Sequence, residues 1–278
     1  MNKIKEIHTF GTSHTEGGGF EFEYKPELFE LYKDSGEEFK KFNFSWPGQL
    51  QKLSNIKVVN HAKSGYGDER MYRKFFKILS ETSLEDLDGK LFIFEFAQIG
   101  RKEYYCNSIN SHVINNYWGV DKDGNHFHDF NEYNPETLHI SVTNDYQNHN
   151  RLLMPEIQTI YQEFFKKTYN PIITHETISR DALMFLFTLR ELNINYFVVS
   201  RPFFTEDDFN RFILHGIVDN EIHFNEGYCD LVSYIIDNKL TITDETNGEH
   251  QDGHAGLVGN KILAKIIYES ILKKSNKI

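Results

Sequence analysis

The chain is 278 residues long and acidic, with 41 Asp and Glu against 30 Lys and Arg and a formal net charge of -11. That balance argues against a general nucleic-acid binder, which needs clustered cations against phosphate. Hydrophobic residues make up 39% and aromatics 15%, with 24 Phe and 15 Tyr, a globular mixture that excludes intrinsic disorder and lets a chain of this length bury a sizeable core.

Ile4 to Phe10 alternates imperfectly, as a buried strand does, and is followed by the polar, glycine-rich turn FGTSHTEGGGF, residues 10–20. Pro26 to Asp34 has helical spacing, and Trp46 to Leu53 reads as a helix with Pro47 in its first turn. Ile56 to Asn60 is a β-branched strand that runs into the loop Ser64-Gly65-Tyr66-Gly67. Asp68 then caps a helix to about Glu81, with Met71, Phe75, Ile78 and Leu79 on one face. Lys90 to Phe96 (KLFIFEF) is apolar enough to be a central strand.

Residues 97–145 are polar, aromatic and rich in Asn, His and Asp, and read as an irregular insertion or cap with a hairpin at Val120 to His128. Beyond it come helices at Leu153 to Lys167 and Thr174 to Leu192, a short buried strand at Tyr196 to Ser200, and a last helix at Val258 to Lys273. Alternating strands and helices predict an α/β fold, a three-layer α/β/α sandwich of flavodoxin-like kind with a mainly parallel sheet. The simplest division is one domain over 1–278 carrying the insertion.

Two cysteines, Cys106 and Cys229, form no CxxC pair, which points away from a structural zinc site or a disulfide scaffold and toward free thiols in a reducing compartment; one long-range disulfide stays open. No apolar signal region follows Met1 and no run reaches the roughly 18 apolar residues of a membrane span. The expectation is a cytoplasmic protein without a membrane span, its oligomeric state open.

Ligands of open α/β sheets bind at the carboxyl ends of the strands. The loops there carry Ser13, Gly65 and Gln98, and the segment His250-Gln251-Asp252-Gly253-His254-Ala255-Gly256 precedes the last helix. This ordered set resembles the SGNH, or GDSL-type, hydrolases. Gly11-Thr12-Ser13 matches the Gly-Asp-Ser block, Asn60 to Gly65 the second block, Gln98 the Asn position of the third, and Asp252 and His254 the C-terminal Asp and His. The departures are Thr12 for Asp, Gln98 for Asn, no Gly-x-Asn-Asp aspartate, and Asp-x-His in place of Asp-x-x-His.

The resemblance implies a serine ester hydrolase working through an acyl-enzyme, on a small-molecule or glycan ester such as a carbohydrate O-acetyl group, with no cofactor and no metal. Ser13 is the nucleophile, His254 the base that a serine hydroxyl needs, and Asp252 the group that orients His254. In an extended segment residues two apart share a face, so Asp252 can reach the far ring nitrogen. The backbone N–H groups of Ser13 and Gly65 and the Gln98 amide form an oxyanion hole. His14, Arg101 and Tyr104 are candidate substrate contacts, Arg101 for an anionic group and Tyr104 for stacking on a sugar.

Other readings stay open. Gly17-Gly18-Gly19 lacks the lysine of a phosphate-binding loop and fits a loop bordering the pocket better. His250, Asp252 and His254, with His14, His126 and His128, have the chemistry of a metal site. Asp121 to Glu132 has partial calcium-loop spacing with its glycine misplaced, and reads as a hairpin turn. A non-catalytic glycan-binding protein on the same fold is the remaining alternative.

Overall fold

The computed structural model describes residues 4–18, 41–63, 66–97, 102–106, 111–115, 159–160, 163–164, 167, 171–200, 220–224, 231–243 and 250–275. Its centre is a four-stranded parallel sheet of β1 (Glu6–Phe10), β2 (Lys57–Asn60), β3 (Lys90–Glu95) and β6 (Tyr196–Ser200), in the order β2-β1-β3-β6. Counted along the chain this is 2-1-3-4, the doubly wound order of flavodoxin-like sheets. Glu221 pairs in parallel with Val198 beside β6. Two smaller antiparallel ladders join β4 (Lys102–Cys106) to β5 (Ser111–Asn115) and β7 (Thr241–Thr243) to β8 (His250–Ala255).

Both faces of the parallel sheet are buried, which is why its strands read as near-continuous apolar runs. Ile7, Val58, Leu91, Ile93, Phe197 and Val199 point to one core. Trp46 and Leu50 of α2 (Trp46–Ser54) and Leu263 and Ile267 of α7 (Leu257–Ser275) close it, and α6 (Leu231–Asp237) adds Leu231 and Ile235. Phe10, Phe92, Phe94, Tyr196 and Val198 point to the other core. It is closed by Met71 and Phe75 of α3 (Asp68–Glu81) and by Ala182, Phe185 and Leu186 of α5 (Pro171–Glu191). Here the high Phe count has a structural use. Phe75 meets Phe92 and Phe185 edge-on, with ring centres 5.3 Å from each, the arrangement aromatic quadrupoles favour. The result is the three-layer α/β/α sandwich.

The strands and long helices fall within a few residues of their predicted places. The glycine-rich turn differs: it contains a one-turn helix, α1 (Ser13–Glu16). Asp68 is not the cap of α3; Gly67 occupies that position and Asp68 is the first helical residue. Another short helix, α4 (Leu84–Leu87), is capped by the Ser83 side chain. The stretch after β3, expected to be irregular, contains the β4–β5 ladder, upstream of the predicted hairpin. Residues 159, 160, 163, 164 and 167 are helical, as expected of their segment. The predicted helix at 26–34 and hairpin at 120–128 lie outside the described residues. Among the described residues no helix is long and apolar enough to cross a membrane.

Candidate active site

The site begins where β1 ends. Gly11 leads into α1 past the buried carboxylate of Glu95, at the end of β3. A Cβ on Gly11 would lie 2.5 Å from Glu95 Oε2 and 2.8 Å from Thr15 Oγ1, so only glycine allows the approach. Thr12 occupies the N-cap of α1, but its side chain makes no cap bond. Instead its hydroxyl donates to Glu95 Oε1 and its backbone N–H to Oε2 at 3.3 Å. Thr15 donates to Oε2 both from its backbone N–H, at 3.0 Å, and from its hydroxyl. The first turn of any helix has amides without intrahelical partners; here a side chain from the neighbouring strand accepts two of them. Gly17, left-handed at φ 91, ends the turn.

A second clip comes from β2. Asn60 Nδ2 donates to the Thr15 carbonyl at 2.8 Å, while its Oδ1 accepts from Thr9 Oγ1 and the Ala62 N–H, each at 3.0 Å. Lys63 N–H bonds the Gly11 carbonyl at 3.1 Å, and Lys63 Nζ lies 3.4 Å from Glu16. Ser13 is thereby fixed at the carboxyl edge of the sheet, 9% exposed.

His254 arrives from the far end of the chain on β8. The turn from β8 into α7 is held by buried Asn260, whose Nδ2 donates to the Ala255 and Gly256 carbonyls at 2.7 and 3.0 Å. Gly18 lies close to both predicted partners: a Cβ there would sit 2.9 Å from Ser13 Cβ and 3.1 Å from His254 Nε2. The ring nitrogen nearest this point is Nε2, the one a serine base uses when Nδ1 is held from behind. His14 stacks on His254, ring centres 4.7 Å apart at 28°.

The structure thus brings together Ser13, His14 and His254. Asp252 lies in β8, whose ladder with β7 shifts register between the Thr241–Ala255 and Thr243–His250 pairs, and its side chain is outside the described residues. So are Gly65, Gln98, Arg101, His126, His128 and the segment 121–132. Tyr104 lies in β4, and its side chain is likewise outside them. Asp68 Oδ1 accepts the Ala97 N–H at 2.6 Å and so anchors the chain one residue before Gln98. Among the described residues no group of three or more His, Cys, Asp or Glu side chains gathers to hold a metal.

Sequence reasoning missed Glu95. The signal was present: a single carboxylate in the otherwise apolar run KLFIFEF must find donors if the strand is buried on both faces. It is 2% exposed.

Beneath the site a polar line crosses the aromatic core. His61 Nε2 lies 2.9 Å from His8 Nδ1, and His8 Nε2 lies 2.9 Å from Glu6 Oε2. Glu6 also meets Lys57 at 2.6 Å and Lys90. Burial opposes the charge on Glu6, but hydrogen bonds from Lys57, Lys90 and His8 outweigh it and hold the carboxyl at about 2. Burial lowers His8 despite Glu6, and burial with the neighbouring His8 lowers His61 to about 4. His61 is therefore neutral at pH 7, and burial favours the neutral form of His8. Glu6 accepts from His8 Nε2–H, which leaves His8 Nδ1 to accept from His61 Nε2–H.

A charged cleft lies at the opposite, amino end of the sheet, lined by Lys5, Glu6, Glu81, Glu85, Asp86 and Lys90 among others.

No family model matches the chain, and no curated protein does. Solved structures similar to it include a protein assigned to the lipolytic G-D-S-L family from Desulfitobacterium hafniense, at 11% identity over 96% of this chain and 99% of that one, TM-score 0.42. An acetyl xylan esterase from the rumen bacterium Butyrivibrio proteoclasticus aligns at 11% identity over 99% of this chain and 65% of that one, TM-score 0.42. A GDSL-like lipase structure from Parabacteroides merdae aligns at 14% identity over 97% and 96%, TM-score 0.37.

Proposed function

We propose that this protein is a serine-dependent ester hydrolase that works through an acyl-enzyme. The observation that supports the proposal is the closeness of both Ser13 Cβ and His254 Nε2 to one point, 2.9 and 3.1 Å from the position of a Gly18 Cβ. A serine hydroxyl is a weak nucleophile until a base takes its proton. In this reading Ser13 Oγ attacks the ester carbonyl while His254 Nε2 accepts the hydroxyl proton. The carbonyl electrons move onto oxygen. The Ser13 and Gly65 N–H groups and the Gln98 amide receive that oxyanion. Collapse expels the alcohol, which takes the proton from His254. Water, activated by the same imidazole, then releases the acid and regenerates Ser13. Asp252, two residues along β8, orients His254. The substrate class follows from the motif resemblance in the sequence: a short acyl ester, with a carbohydrate O-acetyl group first among candidates, and His14, Arg101 and Tyr104 as its contacts.

Turnover of p-nitrophenyl acetate and of acetylated oligosaccharides by the purified protein tests the reading. Ser13→Ala is expected to reduce hydrolysis to background with the circular dichroism unchanged. Gln98→Ala is expected to lower kcat by about 10²- to 10³-fold, the cost of one lost oxyanion donor. Hydrolysis that persists in Ser13→Ala overturns the mechanism.

A further inference from the structure

The geometry points to Glu95 as a positioning residue that clamps the Ser13 turn from the neighbouring strand; the inference rests on the reading of Ser13 as nucleophile. A four-residue helix has too few internal hydrogen bonds to hold its own shape, because forming a first turn is the costly step. Something outside it must fix the chain on either side of Ser13. Glu95 does so on both sides. Through Thr12 it takes the backbone N–H and hydroxyl of the residue before Ser13, and through Thr15 those of the residue two after it. The bonds to Thr12 and Thr15 bracket Ser13 and leave its own N–H outside this set.

Three further features serve the same contact. The β3–β6 register shifts between Phe94 and Glu95, a local irregularity of the kind that re-aims a side chain near a site. Gly11 lacks the Cβ that would fall 2.5 Å from Glu95 Oε2. Thr15 is fully buried and Thr12 nearly so, which removes the water that would otherwise compete for the carboxylate. Asn60 holds the same turn from the other neighbour of β1, but through the Thr15 carbonyl. A carboxylate only accepts, and so suits the four convergent donors. A glutamine at 95 can keep its amide oxygen at the Oε2 position, where the Thr12 and Thr15 N–H groups and the Thr15 hydroxyl converge, and turn its N–H₂ toward the Thr12 hydroxyl, which can rotate to accept. An alanine leaves all four donors without their acceptor.

The test compares the rate at which a fluorophosphonate probe labels Ser13 in wild type, Glu95→Ala, Thr15→Val and Thr15→Ser, with thermal unfolding and amide exchange on the same samples. Thr15→Val keeps the shape of the side chain and removes one donor, and Thr15→Ser restores the hydroxyl. The expected result is labelling slowed on the order of 10²-fold in Glu95→Ala, the scale of a misplacement of about 1 Å, and slowed in Thr15→Val. Thr15→Ser should return to near the wild-type rate, and the Thr15 amide should exchange faster in Glu95→Ala. A purely structural role would move melting temperature without this hydroxyl-specific rescue. Wild type that labels while Glu95→Ala and Thr15→Val label equally fast overturns the clamp and leaves the nucleophile intact. Wild type that does not label overturns the reading of Ser13 itself. Should Glu95→Ala fail to fold, the Thr15 pair decides: slow Val and fast Ser support the clamp, equal rates overturn it.

Discussion

One added methyl group at residue 18 would fall 2.9 Å from Ser13 Cβ and 3.1 Å from His254 Nε2. The first distance is too short for two carbons, so the Ser13 turn must shift, and the second crowds the imidazole. Gly18→Ala is therefore expected to slow ester hydrolysis at least about tenfold while costing about 1–3 kcal/mol of stability, as overpacking does. Steady-state rates and urea denaturation of the same variant check both; an unchanged kcat would mean that Ser13 and His254 do not act across this gap. At this scale the sequence pointed to Ser13 and His254 as candidates, because a serine after the first strand and a histidine before the last helix are local patterns. Glu95 escaped because its importance is not local. Its partners Thr12 and Thr15 lie some eighty positions earlier, and only strand pairing brings them together. Asp68 was read as a cap for the same reason: its use is the Ala97 N–H on another element.

Among the elements, the parallel strands were legible because burial on both faces leaves unbroken apolar runs such as Phe92 to Phe94 and Phe197 to Val199. β8 was read as extended, but its partner β7 was not found, since Thr241–Thr243 is too short to show a period. α1 was invisible because a single turn of Ser, His, Thr and Glu followed by glycines also spells a loop. The pairing of β1 with β2 carries a pH dependence. His61 is held near 4 in the fold against 6.5 for an ordinary histidine, and His8 is lowered too. Because the unfolded chain binds the His61 proton first, stability is full above about pH 6.5 and falls as pH drops toward 4, at up to about 1.4 kcal/mol per pH unit for that proton, and the lowered His8 acts in the same direction. Glu6, at about 2 against 4.5, adds a further loss only below about pH 4.5. The urea midpoint should therefore decline between pH 6.5 and 4. His61→Gln, which keeps a donor for His8 Nδ1 but cannot titrate, should flatten that decline; an equally steep decline in the variant would contradict the assignment.

At the largest scale the described residues form a parallel sheet with one mixed aliphatic core and one aromatic core, and the candidate site lies at its carboxyl edge, after β1. The aromatic core bears load without touching the chemistry. Phe75 is fully buried and packs on Phe10, Phe92, Phe94 and Phe185. Phe75→Ala should cost about 3–5 kcal/mol in urea denaturation, while the protein that remains folded keeps its rate per folded molecule. The most direct measurement is labelling of the intact protein with a fluorophosphonate probe, followed by mass spectrometry of the modified peptide and repeated with His254→Ala. The account predicts a single adduct on Ser13 that is lost when His254 is removed. A folded protein that takes no adduct, or one whose adduct at Ser13 persists undiminished without His254, would contradict it.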